Sequence, residues 1–167
     1  MIEIKTATTL DIPIIHSLAH QIWPKTFAEI LSAKQLEYML DLMYSYESLQ
    51  YQIETEEHRF IIAYENKKPL GFAAYYPKDK TSHSLYKLDK IYVLPDQHGK
   101  GIGKKLIEYI ISIIKPMGAS ILELNVNRSN NAVTFYQKLG FTTTSEVDLP
   151  IGEGYFMNDY VMQKSLA

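Results

Sequence analysis

The stretch from Tyr86 to Val126 constrains the fold more than any other part of the chain. Tyr86-Lys87-Leu88-Asp89-Lys90-Ile91-Tyr92-Val93 alternates as a strand and is halted by Pro95. Ile102, Leu106, Ile107, Ile110, Ile113 and Ile114 then recur at helical spacing until Pro116-Met117-Gly118, and Ile121-Leu122-Glu123-Leu124-Asn125-Val126 reads as the next strand. Strand, helix and strand within about 40 residues make a right-handed crossover, whose two strands must run parallel. The chain is therefore read as α/β.

The flanking segments fill in the rest. Ile2-Glu3-Ile4-Lys5 alternates as a strand, and Thr8-Thr9-Leu10-Asp11 caps a helix carrying Ile12, Ile15, Leu18, Ala19 and Ile22 that is expected to end near Trp23-Pro24. Ser32-Ala33-Lys34-Gln35 is a capping-box pattern opening a second helix through Leu36, Met39, Leu40 and Met43, and a short helix follows around Leu49 to Ile53. Arg59 to Tyr64 and Leu70 to Tyr76 flank the turn-like Glu65-Asn66-Lys67-Lys68-Pro69 as an antiparallel hairpin. After the crossover come a helix from Ala132 to Leu139, a strand from Phe141 and a last strand near Tyr155 to Met162. The sheet is expected to be mixed, antiparallel at its start and parallel across the middle.

Composition sets outer limits. At 167 residues the chain is long enough to bury a real core, and no repeat or linker divides it, so residues 1–167 are expected to form one domain. Seventeen basic and nineteen acidic side chains nearly cancel, which removes any global field favouring nucleic acid or an anionic membrane. No membrane span or signal-peptide layout is legible, so a cytoplasmic location is expected. With no cysteine, disulfides, Cys-ligated zinc and a cysteine nucleophile are excluded.

The clearest chemical signal is Gln97-His98-Gly99-Lys100-Gly101-Ile102-Gly103, between the strand ending at Val93 and the amphipathic helix. Closely spaced glycines let backbone N–H groups converge on one concavity, and the helix N-terminus adds its positive dipole end, which suits a pyrophosphate. Lys100, Lys104 and Lys105 add mobile positive charge, or equally a solvated helix start. A Walker A loop does not occur, and the spacing falls one residue short of the dinucleotide fingerprint, with Glu123 in mid-strand rather than at a strand end. His16 and His20 share a helix face, but Ser17 stands where a zinc protease needs Glu and no third ligand is apparent, so no metal is expected. No G-x-S-x-G elbow is present.

Pro95 to Gly103 resembles the acetyl-CoA pyrophosphate loop of the GNAT superfamily of N-acetyltransferases, whose pattern is Arg/Gln-x-x-Gly-x-Gly/Ala; here His98 replaces Arg or Gln. Leu124-x-Val126, Asn130 and Ala132-Val133-Thr134-Phe135-Tyr136-Gln137-Lys138-Leu139-Gly140-Phe141 resemble that superfamily's pantetheine-flanking helix, with one residue rather than two between Asn130 and Ala132, so that the Asn contact can pass to Asn131. Gln21 to Phe27, Leu88 to Val93 and Tyr155 to Tyr160 look more loosely like bacterial spermidine/spermine N-acetyltransferases of the PaiA type.

The resemblance implies a GNAT-like mixed sheet with splayed central parallel strands, helices on both faces, and acetyl-CoA as co-substrate. It assigns cofactor contacts to Ile91, Tyr92, Val93, His98, Gly99, Lys100, Gly101, Ile102, Gly103, Lys104, Asn130, Asn131 and Lys138, and the general-acid position to Tyr136. Asp89 falls where family members often carry an acidic residue; as a base it needs burial or a water relay, and it stands equally as an ion-pair partner of Lys87 or Lys90. The implied acceptor is a small primary amine, polyamine among the options. A protein or peptide amine and a non-catalytic acyl-CoA-binding module are the alternatives, in a monomer or a homodimer.

Overall fold

The computed structural model describes residues 1–167 and divides into two compact units, Met1–Tyr76 with Lys90–Ile110 and Pro77–Asp89 with Ile111–Ala167. In the first unit, β1 (Ile2–Thr6) pairs antiparallel with β2 (Arg59–Glu65), and β2 with β3 (Lys68–Asp79). Asn66 and Lys67, both at positive φ, make the tight hairpin turn between β2 and β3. Between β1 and β2 lie α1 (Ile12–Thr26), α2 (Ala33–Tyr44) and α3 (Tyr46–Glu54). Ser32 and Ser45 cap α2 and α3, each accepting the N–H three residues on, from Gln35 and Ser48.

Helix α1 runs past the expected stop. Pro24 sits inside its last turn, and the Phe27 N–H closes on the Trp23 carbonyl at 3.0 Å. The helix buries Ile12, Ile15, Leu18, Ala19, Ile22 and Trp23. Packing of Trp23 against Phe27 (ring centroids 4.5 Å apart), Tyr44 and Tyr92 (5.5 Å each) supports this last turn despite the donor that proline lacks.

In the second unit, β5 (Ile121–Asn127) pairs parallel with β4 (Ser82–Val93) from Leu85 opposite Ile121 to Leu88 opposite Leu124. On its other side β5 pairs antiparallel with β7 (Tyr155–Ser165), which pairs antiparallel with β6 (Thr142–Gly152). Helix α4 (Ile102–Ile114), which belongs to the first unit as far as Ile110, is the crossover that precedes β5 in the chain, and α5 (Ala132–Lys138) follows β5. The strand order is β1-β2-β3-β4-β5-β7-β6. The crossover and the antiparallel start are as the periodicity implied; β3 and β4 extend further toward each other than alternation suggested, to Asp79 and from Ser82. No helix is long and apolar enough to cross a membrane.

Candidate active site

The glycine loop grows from the end of β4. The Leu94 N–H bonds the Leu70 carbonyl at 2.9 Å, and Pro95–Gln97 forms a single 3-10 turn closed by Gln97 N–H to Leu94 O at 2.9 Å. Gly99 and Gly101 have φ of 85° and 75°, in the left-handed region that a side chain disfavours. A Cβ at either would meet nothing within 4 Å, so the demand for glycine is conformational. Gly103 is different: it lies in the first turn of α4.

His98, Gly99, Lys100, Gly101 and Lys104 are exposed, whereas the Ile102 side chain is buried and leaves only its backbone for a ligand. The Lys100 ammonium donates to Gln97 Oε1 at 3.0 Å, and the His98 Nε2 donates to the Val93 carbonyl at 3.0 Å. The sequence pattern gave no hint of this His98 contact. Two left-handed glycines either side of Lys100, leading into a helix N-terminus and exposed at the surface, fit the pyrophosphate of a CoA-type ligand.

Gly71 on β3 fixes the end of β4 from beneath. A Cβ there would lie 2.6 Å from the Tyr92 carbonyl oxygen and 3.1 Å from the Val93 Cα. Both contacts are backbone, so glycine is required for the close approach. Composition had not singled out this residue, because the signal is a contact from a neighbouring strand.

In the second unit, Tyr136 on α5 is 7% exposed and packs edge-on against Phe135 (5.3 Å) and Phe141 (5.8 Å). Burial pushes its phenol well above the usual tyrosine range, so it holds its proton throughout ordinary working pH. Asn130 Oδ1 accepts the Ala132 N–H at 2.9 Å, which commits that oxygen to the start of α5. Asn131, the helix cap residue, makes no side-chain cap bond and is exposed, as is Lys138.

Asp89 is half-buried on β4 and attracts the Lys87 ammonium electrostatically. Lys87 itself donates to Glu123 Oε2 at 3.0 Å and to Asn125 Oδ1. Lys90 is buried, donates to Gln52 Oε1 at 2.6 Å, and stands over the faces of Tyr44 and Phe60.

A polar row across β4, β5 and β7 escaped the sequence reading. Glu123, 3% exposed, accepts from Lys78 (2.8 Å), Lys87 and Gln163 (2.9 Å), and these donors hold its carboxyl down at about 2 against the opposing effect of burial. Asp159, 2% exposed, is raised by burial, which the Asn125 side-chain bond only partly offsets. The available sign was the alternation in Ile121 to Asn127, where Glu123, Asn125 and Asn127 place polar groups at every second position.

The two histidines on α1 are held by backbone: His16 Nδ1 donates to the Tyr44 carbonyl at 2.7 Å and His20 Nδ1 to the His16 carbonyl at 2.8 Å. No group of three or more His, Asp or Glu side chains forms a metal-ligand set.

Residues 27–150 match the family model of the acetyltransferase (GNAT) domain. The spermidine N(1)-acetyltransferase of Thermoplasma acidophilum is 28% identical over 145 residues, covering 84% of this chain and 88% of that protein. The peptidyl-lysine N-acetyltransferase YjaB of Escherichia coli is 30% identical over 128 residues, covering 70% of this chain and 78% of that protein. Two further curated relatives are matched over only 41% and 45% of their own length. Among solved structures, the PaiA N-acetyltransferase of Thermoplasma acidophilum in complex with coenzyme A superposes with a TM-score of 0.83 at 26% identity, covering 99% of both chains.

Proposed function

The chain belongs to the GNAT acetyltransferase family, and on that premise we propose that residues 1–167 form a single N-acetyltransferase domain that moves acetyl from acetyl-CoA to a small primary amine by direct attack. The observation that carries this reading is the exposed loop at Gly99 and Gly101, whose left-handed backbone leads into α4. Its N–H groups bind the pyrophosphate, with Lys100 and Lys104 as surrounding charge and the Ile102 and Gly103 amides at the helix start. The backbone of Ile91, Tyr92 and Val93 orients the pantetheine arm, and Asn131 and Lys138 contact the ligand from α5.

Acetyl-CoA supplies the thioester carbon that the amine attacks. Tyr136 donates its phenolic proton toward the departing sulfur, a role that suits a phenol kept protonated by burial. Asp89 orients the amine and receives its proton through water. Among acceptors, a polyamine-like amine is favoured by the breadth of the likeness to the Thermoplasma spermidine enzyme, which spans more of this chain than the likeness to YjaB.

Thiol release from acetyl-CoA, measured across polyamines, amino acids, aminoglycosides and lysine peptides, tests the reading. Turnover with polyamines that lysine peptides do not inhibit is expected. Turnover with peptides alone moves the acceptor to protein, and no turnover with any amine supports a binding module instead.

A further inference from the structure

Between Leu94, 9% exposed, and Ile102, 1% exposed, the loop has little core contact, and His98 through Gly101 are all exposed. Hydrogen bonds therefore set its position. One of them returns to the strand from which the loop departs: His98 Nε2 donates to the Val93 carbonyl at 3.0 Å, closing a ring of six residues around the 3-10 turn. Because a carbonyl can only accept, the imidazole must carry its proton on Nε2.

The two ends of this ring differ in firmness. The strand end is fixed, since Leu94 bonds Leu70 and the Tyr92–Val93 backbone rests on Gly71 with no room for a methyl group. The other end is the residue immediately before Gly99, where the left-handed turn begins. His98 thus transfers the position of a rigid strand end to the first glycine of an otherwise exposed loop.

We propose that His98 is a positioning residue: its tether to Val93 sets the glycine-loop amides in place for a pyrophosphate, and so selects for ligands that carry one. This rests on the CoA reading given above. Without the tether, the loop must be ordered when the ligand binds, at a cost comparable to one hydrogen bond. The loss falls on the pyrophosphate and spares the pantetheine arm.

The test compares wild type, His98→Ala and His98→Gln, after thermal melts show that all three fold. Coenzyme A and pantetheine, which lacks the pyrophosphate, are each measured as competitors of acetyl-CoA and by calorimetric titration. In His98→Ala, CoA affinity is expected to fall about five- to tenfold, with the loss in KM for acetyl-CoA rather than in kcat. Pantetheine affinity is expected to hold, and His98→Gln to recover most of the loss, because its amide N–H can reach the same carbonyl. Unchanged CoA affinity in His98→Ala, an equal loss for pantetheine, or no recovery in His98→Gln overturns the positioning role while leaving the CoA reading intact. A wild-type protein that binds no CoA overturns the CoA reading itself.

Discussion

Lys87 and Glu123 stand directly opposite each other in the parallel ladder of β4 and β5, with Lys87 Nζ 3.0 Å from Glu123 Oε2. Gln163 faces Glu123 from β7 in the same register, so one carboxylate gathers donors from both neighbouring strands, and from Lys78 besides. The row secures the middle of the second unit. An ion buried this deeply is stabilising only when its remaining lone pairs are satisfied, as they are here.

The Glu123 carboxyl, held at about 2 against an ordinary 4.5, gives the fold an acid-sensitive contribution. A depressed carboxyl stabilises above its unfolded value and loses that contribution as pH falls from about 4.5 toward about 2. Glu123→Gln is expected to cost about 3 kcal/mol at neutral pH. Urea unfolding of both proteins from pH 7 to pH 3 should show the gap narrowing as wild type weakens.

Asp159 has the opposite sign. Its carboxyl is raised by burial, so its contribution is greatest below the ordinary carboxylate value and is lost as pH rises through the folded one. When ionised it is a desolvated charge, and the Asn125 side chain and the Lys87 and Arg128 charges only partly offset its burial. Asp159→Asn is expected to raise Tm at pH 7 by a few degrees, with the gain shrinking at acidic pH; a lower Tm at pH 7 would show that Asn125 and the nearby cations stabilise the charge after all.

For Tyr136, removal of one oxygen separates chemistry from packing. Tyr136→Phe retains the ring contacts with Phe135 and Phe141 and is expected to lower kcat by about a hundredfold or more, with KM for acetyl-CoA nearly unchanged. Since burial raises the phenol, the wild-type rate should show no loss from tyrosine ionisation below about pH 9. Initial rates across pH for the two proteins check both statements.

The glycines make different demands. At Gly71 a methyl group would collide with the backbone of Tyr92 and Val93, so Gly71→Ala should destabilise by roughly 1–3 kcal/mol and weaken CoA binding through a displaced strand end. At Gly101 space is open but φ is 75°, so Gly101→Ala costs about 1–2 kcal/mol in backbone strain and Gly101→Asn less. Melting curves and CoA titrations of the three variants separate collision from strain.

Local pattern carried most of the fold. The crossover from Tyr86 to Val126 was legible because two periodicities and two proline stops agree, and the hairpin because the polar run Glu65 to Pro69, with Asn66 able to take positive φ, separates two alternating segments. Helix α1 continues to Thr26, past the stop expected near Trp23-Pro24, because its last turn is supported by Tyr44 and Tyr92, distant in sequence. The loop at Gly99 and Gly101 was visible as composition. The roles of Gly71, His98, Glu123 and Asp159 were not, since each depends on which neighbouring strand or turn lies across from it.

The absence of cysteine leaves direct transfer as the economical route, with both substrates bound before an acetyl group moves. Initial-rate kinetics with acetyl-CoA and the preferred amine both varied, reading free thiol and acetylated amine together, test this most directly. The account predicts intersecting double-reciprocal lines and equal amounts of the two products. Parallel lines with acetyl accumulating on the protein, or thiol release without an acetylated amine, would contradict it.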